Sequence, residues 1–188
     1  MDQRARLSRI SVFYGVLFAI GAIWAAAQQR NLLVPESWRT TSMLGHVALG
    51  IGVGIGVALL SQRLSVRFVW ARRLEEALAE ALGPFSTGEA ALVAALSAIG
   101  EEALFRGAMQ PAIGLVATSV AFGLLHVGPG KVFLPWTLMA VAAGFLFGLL
   151  AQLTGDLAAP IMAHAVVNFV NLRYLSKRYL TSPAEPRA

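Results

Sequence analysis

Residues 132–155, VFLPWTLMAVAAGFLFGLLAQLTG, run for 24 positions without a charged side chain. At 1.5 Å of rise per residue, a helix of that length covers about 36 Å, enough to cross a hydrocarbon core roughly 30 Å thick. Outward from it, further charge-free windows lie at 10–27, 40–62, 107–130 and 157–172, with a shorter one at 90–100. The 188 residues are 57% hydrophobic and 13% charged, whereas a soluble domain is about half apolar and about a quarter charged. So much apolar surface in a short chain needs lipid to face. The expectation is an all-α, polytopic membrane helical bundle of about six transmembrane helices. The absence of cysteine excludes a disulfide framework, cysteine-ligated zinc and a thiol nucleophile. A net charge of +5 would suit nucleic acid, but the basic residues fall between the apolar runs, as membrane anchors do. Membrane lipid, not nucleic acid, is the expected partner.

Stop signals divide the windows. Gly83-Pro84, the Gln110-Pro111 step and Gly128-Pro129-Gly130 all disfavour a continuing helix, and Ser86-x-x-Glu89 reads as a capping box that opens the third span. Arg4, Arg6 and Arg9 precede the first span; Arg63, Arg67, Arg72 and Arg73 follow the second; Lys131 follows the fourth; Lys177, Arg178 and Arg187 follow the last. Retention of basic residues on the cytoplasmic side puts both termini in the cytoplasm of an integral membrane protein. The Arg-rich start and Ala25-Ala26-Ala27 also resemble a cleavable signal peptide, but the apolar stretch is long and the later spans need no exported domain. Between Arg63 and Leu82, Val66, Trp70, Leu74, Ala77 and Ala81 recur at helical spacing, the pattern of an interfacial amphipathic helix. Glycines 50, 52, 54 and 56, with Gly144 and Gly148, make small faces for close helix packing. The chain then divides into residues 1–84 (two spans and the amphipathic segment), a core at 85–175, and a loose cytoplasmic tail at 176–188.

Few ionisable groups interrupt the apolar windows, and such groups are functional candidates by default. Glu101, Glu102 and Arg106 break the third span, His126 ends the fourth, and His164 and Asn168 lie in the last. His46, near the start of the second span, reads as interfacial. Glu102 and Arg106 are i and i+4, the favourable order for an ion pair. Glu101 points about 100° away, so one carboxylate is neutralised while its neighbour stays free to act as a base. His164 and Asn168, also i and i+4, present an imidazole and an amide side by side, donors that suit an oxyanion. Counting helical rise from the span ends puts Glu101 roughly 20 Å from the cytoplasmic face and the other groups within about two turns of it. The site then lies nearer the outer face. The bland reading of any one of these residues is an interhelical hydrogen bond; together, in so apolar a chain, they read as a site.

Three motifs carry a resemblance. Glu101-Glu102-Ala103-Leu104-Phe105-Arg106-Gly107, Phe122-Gly123-Leu124-Leu125-His126 and His164-Ala165-Val166-Val167-Asn168 resemble, in order and spacing, the signatures of the CAAX-processing and bacteriocin-processing (CPBP) family of intramembrane proteases. The resemblance covers roughly residues 85–175. It implies a helical-bundle endopeptidase in which Glu101 and His126 hold and deprotonate a water and His164 with Asn168 stabilises the oxyanion. Glu102, Arg106 and Phe122 would support the site. The substrate would be a protein or peptide in or at the membrane. Glutamate-dependent hydrolysis with no cofactor is expected, because no His-Glu-x-x-His helix presents zinc ligands and base together. If a metal were bound, Glu101, His126 and His164 would be its ligands. The preference for Arg over Lys, with abundant Ala, suits a GC-rich bacterium and a bacterial cytoplasmic membrane, and an outward site would suit an exported or surface-bound substrate. The competing readings are a non-catalytic membrane partner or immunity protein and a small proton-coupled transporter.

Overall fold

The computed structural model describes residues 3–30, 32 and 40–180. Of the expected tail at 176–188, residues 181–188 lie outside them, Arg187 among these. Every regular element is helical: α1 (Gln3–Ala27), α2 (Thr40–Arg67), α3 (Val69–Leu82), α4 (Thr87–Glu102), a π-helical segment Ala103–Met109, α5 (Gln110–Leu124), a short 3-10 turn Lys131–Phe133, α6 (Leu134–Thr154), α7 (Ala158–Leu175) and a final π turn Ser176–Leu180. Among the described residues, four segments are long and apolar enough to cross a membrane: Gln3–Ala27, Ser42–Arg67, Thr87–Leu124 and Lys131–Thr154. This is an integral membrane protein. Val12, Phe13, Val16, Ile20 and Ile23 on α1 stand exposed, an apolar face that only lipid can satisfy. The 18 residues of α7 are less apolar, because His164, Asn168, Asn171 and Arg173 sit in them.

Helix α4 begins with the expected capping box: the Ser86 hydroxyl accepts from the Glu89 N–H and the Glu89 carboxylate accepts from the Ser86 N–H. The stop expected at Gln110-Pro111 is absent. Pro111 follows a π-helical turn in which the Gln110 N–H bonds to Phe105 O, and this wider turn relieves the clash a proline makes with an α-helical carbonyl four residues back. The chain breaks instead at Gly114, whose φ of 83° and ψ of 166° are conformations an L side chain rarely adopts. The chain then turns back, and α5 runs antiparallel to α6, with Leu115 against Gly148, Ser119 against Gly144 and Thr137 against Gly123.

Helix α3 also departs from the expected pattern. Val66 belongs to α2 and is exposed, and the extended backbone at Phe68 (φ −122°, ψ 132°) resets the register. The inward row is therefore Ala71, Leu74 and Ala79 rather than the Val66-to-Ala81 row. Of the four glycines on α2, Gly50 and Gly54 face α7: a Cβ at Gly54 would stand 2.7 Å from Ala163 O, and one at Gly50 would collide with Ala159 O. Gly52 and Gly56 face open space. His46 is not a free interfacial group. Its Nδ1 lies 2.6 Å from Asp156 Oδ2, and Asp156 Oδ1 accepts from the Ala158 N–H, tying α2 to the start of α7.

Candidate active site

The site forms where α4, its π-helical continuation, the end of α5 and the middle of α7 meet. Glu102 is the last α-helical residue before the π segment and is fully buried, with 0% exposure. Arg106, buried within that segment, sets its Nε 3.1 Å from Glu102 Oε2 and donates from Nη1 to Glu102 Oε1 at 3.2 Å and from Nη2 to Gly144 O at 3.1 Å. The expected pairing thus forms, although the helix carrying it is wider than an α-helix. The absence of a Cβ at Gly144 lets its backbone pack against Ser119 of α5. The guanidinium also lies 4.5 Å over the Phe122 ring, a cation–π contact that holds an otherwise costly buried charge.

Each histidine is oriented by its Nδ1. That of His164 lies 2.8 Å from Glu102 Oε1, and that of His126 lies 2.7 Å from Phe122 O. Carboxylates and carbonyls only accept, so both Nδ1 atoms carry hydrogen and both Nε2 atoms are left for chemistry. Both Nε2 atoms turn toward one atom, Glu101 Oε2: His126 at 3.8 Å and His164 at 3.9 Å. That oxygen is buried and has no hydrogen-bond partner, a costly arrangement unless something fills it. The separations exceed a direct hydrogen bond and suit a bridging water.

Aromatic rings fix the imidazoles. Phe122 packs against His126 with centroids 4.5 Å apart, Trp136 meets the same ring edge-on at 5.4 Å, and Phe147 stacks on His164 at 5.1 Å. Thr137 on α6 donates to His126 O at 3.0 Å, which steadies the loop after α5. Asn168 donates from Nδ2 to Ser97 Oγ at 2.9 Å. The Ser97 hydroxyl hydrogen goes to Ala94 O, so this serine can only accept. The second Asn168 amide hydrogen is left for the cavity that Asn168 lines.

That cavity, of about 310 Å³, holds Glu101, His126, His164 and Asn168 at one end and Glu75, Leu78, Leu82 and Leu175 at the other. It leads toward α3 and the Arg-rich end of the bundle. Rise along single helices located the groups but not the space between helices, which leads from them toward α3. Sequence reasoning also missed Tyr14, Ser97, Trp136 and Phe147. Tyr14 is the one phenol in the charge-free window 10–27, a signal that was available. Among the described residues, no group of three or more His, Cys, Asp or Glu is arranged to hold a metal ion.

Residues 84–170 match the family described as type II CAAX prenyl endopeptidase Rce1-like. A stretch of 77 residues, 40% of this chain, is 40% identical to the uncharacterized protein YpbD of Bacillus subtilis (strain 168) and covers 39% of that relative. No solved structure matches. With the three motifs inside the matched stretch and their side chains around one cavity, residues 84–170 are similar to the CPBP family of CAAX-protease-like membrane proteins.

Proposed function

We propose that the chain is an intramembrane endopeptidase that hydrolyses a peptide bond with a glutamate-activated water. The observation that carries this reading is Glu101 Oε2, buried without a hydrogen-bond partner and faced by two imidazole Nε2 atoms at 3.8 and 3.9 Å. A water there would donate one hydrogen to Glu101 and the other to His126 Nε2. As the water oxygen attacks the scissile carbonyl carbon, Glu101 takes its proton. Charge then develops on the carbonyl oxygen, where the free Asn168 amide hydrogen supports it. His164 stands beside it, oriented by the Glu102 carboxylate on its Nδ1. Glu101 returns the proton to the departing amine, so the carbon gains OH, the nitrogen gains H and the C–N bond breaks. Glu102 and Arg106 neutralise each other and position His164, while Phe122 packs against both Arg106 and His126.

With the Arg-rich end in the cytoplasm of a bacterial inner membrane, the cavity opens to the cytosol. A membrane-associated protein would then be cut on a segment that reaches in past α3. A comparison of envelope proteins from cells carrying the wild-type chain, cells lacking it and cells carrying Glu101→Gln tests this. A precursor should accumulate equally in the last two; complete processing by Glu101→Gln would overturn the reading.

A further inference from the structure

Helix α1 precedes the matched stretch 84–170, yet it walls the cavity. Its register along α4 and the π segment is fixed at both ends and in the middle. The Gln3 amide donates to the Glu89 carboxylate at 2.7 and 2.8 Å, and Gln28 donates to Ala108 O at 3.0 Å. Between them, a Cβ at Gly100 would stand 2.6 Å from Tyr14 O, and one at Gly21 would stand 2.7 Å from the Leu104 nitrogen. The backbone of Tyr14 therefore lies against the residue just before Glu101. Its side chain lines the same cavity as Glu101. The neighbouring Phe13 points outward and is exposed.

Apart from one Asn168 amide hydrogen, the guanidinium and imidazole Nδ1 donors of the site are committed elsewhere. Arg106 and His164 Nδ1 go to Glu102, and His126 Nδ1 goes to Phe122 O. A carboxyl turns easily about its last torsion, which is broad and roughly two-fold. Something must hold Glu101 for one oxygen to stay between the imidazoles.

We propose that Tyr14 is a positioning residue of this site: its hydroxyl donates to the Glu101 carboxylate and fixes the rotation that leaves Oε2 facing His126 and His164. The inference rests on the hydrolytic reading of Glu101. It assigns α1 a part in the chemistry as well as in packing.

Infrared difference spectra of the purified full-length protein test the contact without any substrate. The Glu101 carboxyl band is identified by its disappearance in Glu101→Gln. Tyr14→Phe, which keeps the ring, should shift that band, whereas Phe13→Leu should not. In cells, pulse-chase processing of the precursor that accumulates without the chain should slow by about 10- to 100-fold in Tyr14→Phe, the range for losing a hydrogen bond to a charged group. It should be unchanged in Phe13→Leu. If Tyr14→Phe leaves both band and rate unaltered while Glu101→Gln abolishes processing, the inference alone is overturned. If Glu101→Gln processes the precursor normally, the hydrolytic reading falls and this inference falls with it.

Discussion

Two histidine–carboxylate clusters tie helices together in this protein, one at the start of α7 and one in its middle, and they differ in one respect. At the α7 start, both Asp156 oxygens are used: His46 sits 2.6 Å from one and the Ala158 N–H binds the other. In the middle of α7, Glu101 Oε2 has no partner, and two imidazole nitrogens stand off at 3.8 and 3.9 Å. Both pair a carboxylate with imidazole, and both acids are buried. A satisfied acid closes a turn and holds two helices. An unsatisfied acid with nitrogens at a water's distance is a place for a reactant. The contrast recurs between adjacent residues, since Glu102 is bound by Arg106 and His164 while Glu101 keeps an oxygen free.

The largest stability effect should therefore come from Glu102. Glu102→Ala leaves Arg106 buried without its counter-charge and should cost about 3–5 kcal/mol, read as a large fall in the thermal midpoint of the purified protein. Glu101→Gln should leave that midpoint near wild type. If the two substitutions cost the same, the division into bound and free acids is wrong. Asp156→Ala removes both the His46 tie and the turn bond to Ala158 and should cost about 2 kcal/mol, with processing per folded molecule unchanged. Lost processing in a stably folded Asp156→Ala would erase the contrast between the two clusters.

Two smaller effects sharpen the picture. Gly54→Val must push α2 away from Ala163 O and should cost about 1–3 kcal/mol, while Gly52→Val, directed into open space, should cost almost nothing by the same unfolding measurement. The smallest effect concerns Glu75 at the cavity mouth, which accepts from the Tyr179 hydroxyl at 3.0 Å. Burial pushes its carboxyl above the ordinary value of 4.5, outweighing the opposite pull of hydrogen bonds from Ser65 and Tyr179. A carboxyl that binds its proton more tightly in the folded state stabilises the fold fully below that ordinary value. The contribution is lost as pH rises through the elevated one. A shallow decline in the thermal midpoint from pH 4.5 toward neutrality is expected, and Glu75→Gln should flatten it.

The membrane bundle was legible because a charge-free 132–155 has no soluble explanation. The same apolar background exposed Glu101, Glu102, Arg106, His126, His164 and Asn168 as candidates, since a charge inside hydrocarbon is costly enough to stand out. Features made by two segments together were not legible. Pro111 reads as a breaker in any local scheme, and only the preceding π turn, stabilised by α1 and α6 packing, lets the helix run on to Gly114. Which glycines of α2 meet α7 depends on a helix more than a hundred residues away. Tyr14 could be seen as a polar group in a span, but its register on Glu101 is set by Gly100 and Gly21. The direction of the cavity belongs to the space under α3, which no single helix specifies.

The most direct test is cleavage of the accumulated precursor by the purified, chelator-treated protein, comparing wild type with Glu101→Gln. The wild type should cut, and the variant should be slower by about 100- to 10,000-fold, the span of a lost general base, with its helical content unchanged. Cleavage by Glu101→Gln at the wild-type rate, or activity removed by the chelator and restored by zinc, would contradict the account.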